Sequence, residues 1–208
     1  MNKYIVEFIG TFFLVLTIGL TVLAGGTGVI PPLAIGAALM VMIFAGGHVS
    51  GAHFNPAVTL AVWMRGRCDA KDVVPYWVSQ IAGAVVAALA VKFLRPSASP
   101  TAMNPAVGPA LLAEFLFTFA LAWVVLNAAT AKANSGNSFY GLAIGMTVMT
   151  GAFAVGDISG GVFNPAVAVG ISVLGLSSWS NIWIYLLANL AGGATAAAAF
   201  KAVNPADV

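Results

Sequence analysis

Ser50-Gly51-Ala52-His53-Phe54-Asn55-Pro56-Ala57-Val58 and Ser159-Gly160-Gly161-Val162-Phe163-Asn164-Pro165-Ala166-Val167 are two versions of one stretch, 109 residues apart. Each joins a Gly-rich segment to a short apolar run, Pro56–Met64 or Pro165–Leu174. Helices that short cannot cross roughly 30 Å of hydrocarbon. Proline at the first helical position gives up an N–H that the helix could not satisfy anyway, and the Asn before it is a capping residue. Irregular backbone beside a short helix is admissible at membrane depth only where protein or a water cavity surrounds it. Both stretches therefore read as the entry to a re-entrant half-helix.

Working outward, the rest of the chain points to the same setting. Of its 208 residues 61% are hydrophobic and 7% charged, against about 25% charged in a soluble domain. Apolar segments at about Tyr4–Leu23, Pro32–Gly46, Val73–Lys92, Pro109–Ala129, Phe139–Val155 and Asn181–Phe200 each approach the length of a span. The start could pass for a leader, with Lys3 before the apolar Phe8–Leu23. Glu7 interrupts it and similar segments follow, so a retained first span is expected.

Composition also excludes several classes. A net charge of +2 with no basic run argues against nucleic acid. Cys68 is alone, which excludes an intrachain disulfide and a cysteine metal site, and it reads as a loop thiol. His48 and His53 share one loop without further ligands, so no metal and no cofactor is expected. No Ser-His-Asp set or phosphate loop appears, and no enzyme is expected.

The quoted pair belongs to a longer repeat. Glu7-Phe8-Ile9-Gly10-Thr11-Phe12 matches Glu114-Phe115-Leu116-Phe117-Thr118-Phe119 at an offset of 107. Leu33-Ala34-Ile35-Gly36 matches Leu142-Ala143-Ile144-Gly145, and Gln80-Ile81-Ala82-Gly83 matches Asn189-Leu190-Ala191-Gly192, both at 109. Matched blocks in one order mark an internal repeat. Three spans per copy is an odd number, so the second copy enters from the opposite face and the functional elements meet near the midplane. The expected fold is an all-α membrane protein with six transmembrane helices and two re-entrant half-helices. It is expected to be a single channel domain over 1–208, with a first repeat over 1–95, a linker over 96–108 and an inverted second repeat over 109–208. With the N-terminus inside, Lys3, Arg65, Arg67, Lys71, Lys132 and Lys201 fall inside and only Lys92 and Arg95 outside. The positive-inside rule then favours cytoplasmic N- and C-termini.

Opposed half-helices would bring Asn55 and Asn164 together. Their positive dipole ends would point at the middle of the membrane, which repels cations and orients a water by its oxygen. Asn104-Pro105-Ala106 and Asn204-Pro205-Ala206 lack the Ser-Gly block and the following apolar run. They read as turn or helix-start chemistry. Glu7 and Glu114 are acids within spans, which leaves a conducted-ion site or a structural acceptor. Their equivalent placement in each copy, beside irregular stretches whose N–H groups need partners, favours the acceptor. Asp157, assigned to the second irregular loop, reads as part of the outer mouth.

Gly47-His48-Val49-Ser50-Gly51-Ala52-His53-Phe54-Asn55-Pro56-Ala57-Val58-Thr59 and Ser159-Gly160-Gly161-Val162-Phe163-Asn164-Pro165-Ala166 resemble the two signatures of the aquaporin, or major intrinsic protein, family. The resemblance covers essentially the whole chain. It implies a homotetramer in the lipid bilayer, of the cell (inner) membrane, with one pore per subunit for water and small neutral solutes. It implies that His53 lines the inner vestibule, that Gly51, Ala52, Phe54, Gly160, Val162 and Phe163 belong to the carbonyl-bearing pore lining, and that Leu14, Leu39, Leu121 and Val148 form an apolar wall. Glu7 and Glu114 take the role of structural buried acids.

The chain departs from that family at the narrowest point. The arginine that usually follows the second Asn-Pro-Ala is replaced by Val167, and the counted filter is Ile35, Ala152, Gly161 and Val167. It has no charge, ring or side-chain donor and is expected to be wide and apolar. The Asp of glycerol-channel members is replaced by Ala168. The expected function is a passive channel for water and small uncharged solutes such as glycerol, urea, ammonia or undissociated metalloid acids. The competing reading is a structural or adhesive membrane protein with a closed or vestigial pore, for which Gly141-x-x-x-Gly145 would supply a close helix contact, a stripe that equally suits packing inside one subunit.

Overall fold

The computed structural model describes residues 1–23 and 28–207. Its helices are α1 (Asn2–Leu23), α2 (Ile30–Ser50), α3 (Pro56–Met64), α4 (Ala70–Leu94), α5 (Val107–Val125), α6 (Tyr140–Ser159), α7 (Pro165–Leu174) and α8 (Ile182–Val203). Among the described residues six helices are long and apolar enough to cross a membrane, with α3 and α7 as the short pair. At about 1.5 Å per residue, α3 and α7 reach roughly half of a bilayer core. Val208, the last residue assigned to the second repeat, lies outside the described residues.

Glycines set how closely the spans approach. A Cβ on Gly36 would lie 2.8 Å from the Gly145 carbonyl oxygen, and one on Gly145 would lie 2.5 Å from that of Gly36. Thus α2 and α6 cross at a reciprocal glycine contact, which uses Gly145 inside one chain. Gly83 of α4 meets the Phe8 carbonyl of α1, and Gly192 of α8 meets the Phe115 carbonyl of α5 in the same way. Equivalent contacts therefore recur at the offset seen in sequence. The half-helices interlock across the molecule: α3 packs most closely on α8 and α7 on α4. Gly193 of α8 permits the first contact, because a Cβ there would meet the Ala57 carbonyl at 2.5 Å.

Three boundaries differ from expectation. α2 runs four residues past Gly46 to Ser50, and α6 runs past Val155 to Ser159. Gly46 does not break its helix; a Cβ there would meet Val6 at 2.5 Å, so it serves close packing. The breaks fall at Gly51 and Gly160, with left-handed φ of 83° and 92°. Asp157 accordingly sits in the last turn of α6 and not in a loop. The fifth helix does not end as a regular α-helix but passes into a π turn over Leu126–Thr130. Side chains bind carbonyls around it: Asn127 donates to Trp123 O, Asn134 to Asn127 O and Asn137 to Ala128 O.

Candidate functional site

Each irregular stretch hangs from a buried carboxylate. Glu7 and Glu114 are both 0% exposed. Glu7 Oε1 accepts from the Ser50 hydroxyl (2.7 Å) and the His53 amide (2.9 Å). Its Oε2 accepts from the Phe54 amide (2.6 Å) and Gln80 Nε2 (2.8 Å). Glu114 Oε1 accepts from the Ser159 hydroxyl (2.7 Å) and the Val162 amide (2.9 Å), and Oε2 from the Phe163 amide (2.7 Å). Buried N–H groups that no helix or sheet could satisfy are thereby paired. Tyr76 and Tyr185, also 109 residues apart, donate to the Ser50 and Ser159 carbonyls at 2.8 and 3.0 Å. These tyrosines went unrecognised in the sequence, although the repeat offset marks them.

The carboxylates hold backbone that would otherwise relax. Ala52, Phe54 and Phe163 have φ of 51°, 49° and 48°, conformations rare for residues with a side chain. Such residues cost on the order of 1–3 kcal/mol each and persist where surrounding bonds over-determine them. The Glu7 bond to the Phe54 amide and the Glu114 bond to the Phe163 amide do so here.

This geometry aims the two Phe carbonyls across the molecule. Asn55 Nδ2 donates to Phe163 O and Asn164 Nδ2 donates to Phe54 O, each at 2.8 Å. Asn55 Oδ1 caps α3 by accepting from the Ala57 amide at 2.8 Å, and Asn164 Oδ1 caps α7 through the Ala166 amide at 2.9 Å. Pro56 and Pro165 occupy the first helical positions. Both half-helix N-termini therefore meet at one point. One N–H of each Asn amide ties the halves together, leaving the second free to donate. Sequence reasoning brought the two Asn residues together and missed this reciprocal tie.

A narrow passage of about 90 Å³ runs past the Asn pair. Leu14, Leu39, Leu121 and Val148 line it. So do Ile35, Ala152, Gly161 and Val167. Ala52, His53, Phe54, Gly160 and Val162 contribute the irregular stretches. Gly51 lines a larger cavity of about 1140 Å³ that adjoins the passage, with His48, Arg67, Lys132 and Tyr140. Phe163, expected to bring its carbonyl to the lining, keeps its side chain out of it. Its ring packs on Phe117 at 5.5 Å and on Gly151, and only its carbonyl is directed at Asn55.

His53 is buried with Nδ1 3.1 Å from the Thr59 hydroxyl and its ring 5.0 Å from that of Tyr76. Among the described residues no group of three or more His, Cys, Asp or Glu could hold a metal ion. Asn104 and Asn204 cap no half-helix: Asn104 lies in the segment before α5, and Asn204 follows α8 and donates to the Phe200 carbonyl.

The Asp207 carboxylate meets the end of α3, accepting from Arg65 Nη2 at 2.7 Å and from the Lys132 amide at 2.9 Å. The Lys132 amide and the Arg65 charge hold this carboxyl below the usual carboxylate range.

Comparison with known proteins agrees with this arrangement. The family model described as Major intrinsic protein matches residues 1–200. The chain is 37% identical to Glycerol uptake facilitator protein-like 6 of Lactiplantibacillus plantarum, covering 100% of both chains. It is 36% identical to Aquaporin NIP1-3 of Oryza sativa subsp. japonica, over 99% of this chain and 75% of that one. In fold it is similar to the X-ray structure of the aquaglyceroporin from Plasmodium falciparum, with a TM-score of 0.83 over 99% of this chain and 97% of the other at 23% identity.

Proposed function

This chain belongs to the major intrinsic protein family, and from that premise we propose that it is a passive channel whose filter is wide, apolar and free of arginine. That it is an integral membrane channel for water and small solutes follows from the family. The finer reading concerns which solutes pass and where they are selected.

The observation that carries the reading is the reciprocal bond between Asn55 and Phe163 O and between Asn164 and Phe54 O, beside a passage whose side-chain walls are apolar apart from the Asn pair and His53. Two helix N-termini at one midplane point place positive potential there. A cation loses hydration without gaining a counter-charge, while a neutral solute accepts a hydrogen bond from each free Asn N–H. Ile35, Ala152, Gly161 and Val167 add neither charge nor donor, so uncharged solutes larger than water enter without an electrostatic barrier at that level. Water, glycerol, urea, ammonia and undissociated metalloid acids fit this description.

The supporting arrangement is two repeats, 1–95 and 109–208, joined by 96–108. Glu7 and Glu114 act in it as structural acceptors. Cytoplasmic termini in a cell membrane follow from the side on which the basic residues fall, and a homotetramer from the family. The competing structural role loses its sequence argument, because Gly145 packs on Gly36 within the chain.

Stopped-flow light scattering on reconstituted vesicles tests the proposal. The expected result is water and glycerol flux above that of empty liposomes, with no conductance in a planar bilayer. Folded protein with flux no faster than empty liposomes would refute it.

A further inference from the structure

We propose that the size limit of this passage lies at its inner end, around His53 and Val125, and not at the arginine-free filter. The proposal rests on the channel reading above. Its starting point is where the two cavities meet. The inner cavity of about 1140 Å³ and the passage of about 90 Å³ share two wall residues, His53 and Val125. A solute moving between them goes through the gap these two side chains border.

The repeat explains why the inner end is the tighter one. At the offset of 109 the outer residues Ala152 and Gly161 correspond to Ile43 and Ala52, and Val162 corresponds to His53. Ala52 adds a methyl group to the passage wall where the outer end has none. Ile43 stands where the outer end has Ala152, but it is buried and lines neither cavity. His53 brings an imidazole where the outer end has an isopropyl group. Ile35 with Ile144 and Val167 with Val58 are identical pairs. Val125 is smaller than its counterpart Ile18, but its backbone turns there into the π segment, whose Ala128, Ala129 and Thr130 wall the inner cavity.

The inner gap is also rigid, as a size limit requires. Thr59 and Tyr76 hold the His53 ring. Asn134 and Asn137 bind carbonyls of the turn that follows Val125. The outer residues have no such polar bracing on their side chains.

The test is a solute series of urea, glycerol, erythritol and xylitol on vesicles holding the full chain, recording the largest solute that crosses faster than through empty liposomes. Val125→Ala is expected to raise that limit by at least one member, and Ile35→Ala to leave it unchanged. Ala52→Gly is expected to raise it as well. It suits a residue already at φ 51°, so it keeps the proposal testable if Val125→Ala fails to insert. A limit that stays put in both inner variants, or that moves with Ile35→Ala instead, would overturn the proposal. Wild-type vesicles that pass neither water nor solute would remove the channel reading itself, and this proposal with it.

Discussion

In the first half, Glu7 gathers the Ser50 hydroxyl, two loop amides and Gln80. In the second, Glu114 gathers the Ser159 hydroxyl and two loop amides, while Asn189, shorter than Gln80 by one methylene, accepts from Thr118. Around this shared frame the furnishing differs. The first half places His53, Thr59 and a strained Ala52 beside the passage; the second has Val162, Ala168 and Gly161 at the same positions. The ends of the half-helices differ too. Arg65 after α3 pairs with Asp207, whereas α7 ends at Gly175 and the chain beyond it binds backbone to backbone, Met103 N–H to Leu176 O at 2.9 Å. Shared residues hold the fold and also line part of the passage, as Ile35 with Ile144 and Val58 with Val167 do.

The comparison breaks first at the carboxylates. Removing Glu7 or Glu114 strands two buried amides, each worth about 1–3 kcal/mol, so either Ala variant should lose about 2–6 kcal/mol and most of its folded yield. Glu7→Ala should be the worse, because Gln80 Nε2 also loses one of its two acceptors and keeps only Thr59. Size-exclusion profiles and thermal midpoints in detergent check this. Normal yield with altered conduction would return these acids to the conducted-ion reading.

The glycine crossing should be next. Gly36→Ala and Gly145→Ala each drive a methyl onto a backbone carbonyl that cannot swing aside, costing about 1–3 kcal/mol. Because the contact is reciprocal, the two should lower the thermal midpoint by similar amounts. A large asymmetry would show that the halves cross differently from the arrangement described. Smaller still are Tyr76→Phe and Tyr185→Phe, each losing one buried hydrogen bond of about 1 kcal/mol. Thermal melts of both variants should agree closely, and flux should be retained.

Asp207 sharpens the comparison from the weak end. Its carboxyl is held below the ordinary range, so its ion pair stabilises the fold above the unfolded carboxyl pKa, about 4. That contribution fades as pH falls through the lowered folded value. The expected reading is a small loss of thermal midpoint below pH 4 in the wild type, absent in Asp207→Asn. An acid dependence that survives in Asp207→Asn would place it in other carboxylates.

Much of this was legible in sequence because lipid leaves few options. Short apolar runs after Asn-Pro had to be half-helices, and α3 and α7 have the expected bounds. Glycine was harder to read. The same residue type ends a helix at Gly51, where φ is 83°, and lets two elements touch at Gly46. Only the neighbour, Val6 in the latter case, separates the two uses. The π turn was not legible either, because Asn134 and Asn137 meet its carbonyls only once the following loop has folded back. Phe163 shows a third limit: its carbonyl could be named as a pore group from sequence, but its partner, the Asn55 amide of the other half, could not.

Val58 and Val167 follow their Asn-Pro-Ala motifs alike, and Val167 stands where the family's usual arginine would. Introducing Val167→Arg in reconstituted vesicles and measuring water, glycerol, urea and a neutral metalloid acid therefore tests the account most directly. The account predicts that water flux persists while the larger solutes fall to the level of empty liposomes. A solute profile identical to the wild type, from folded protein, would mean that Val167 does not stand at the filter and would contradict it.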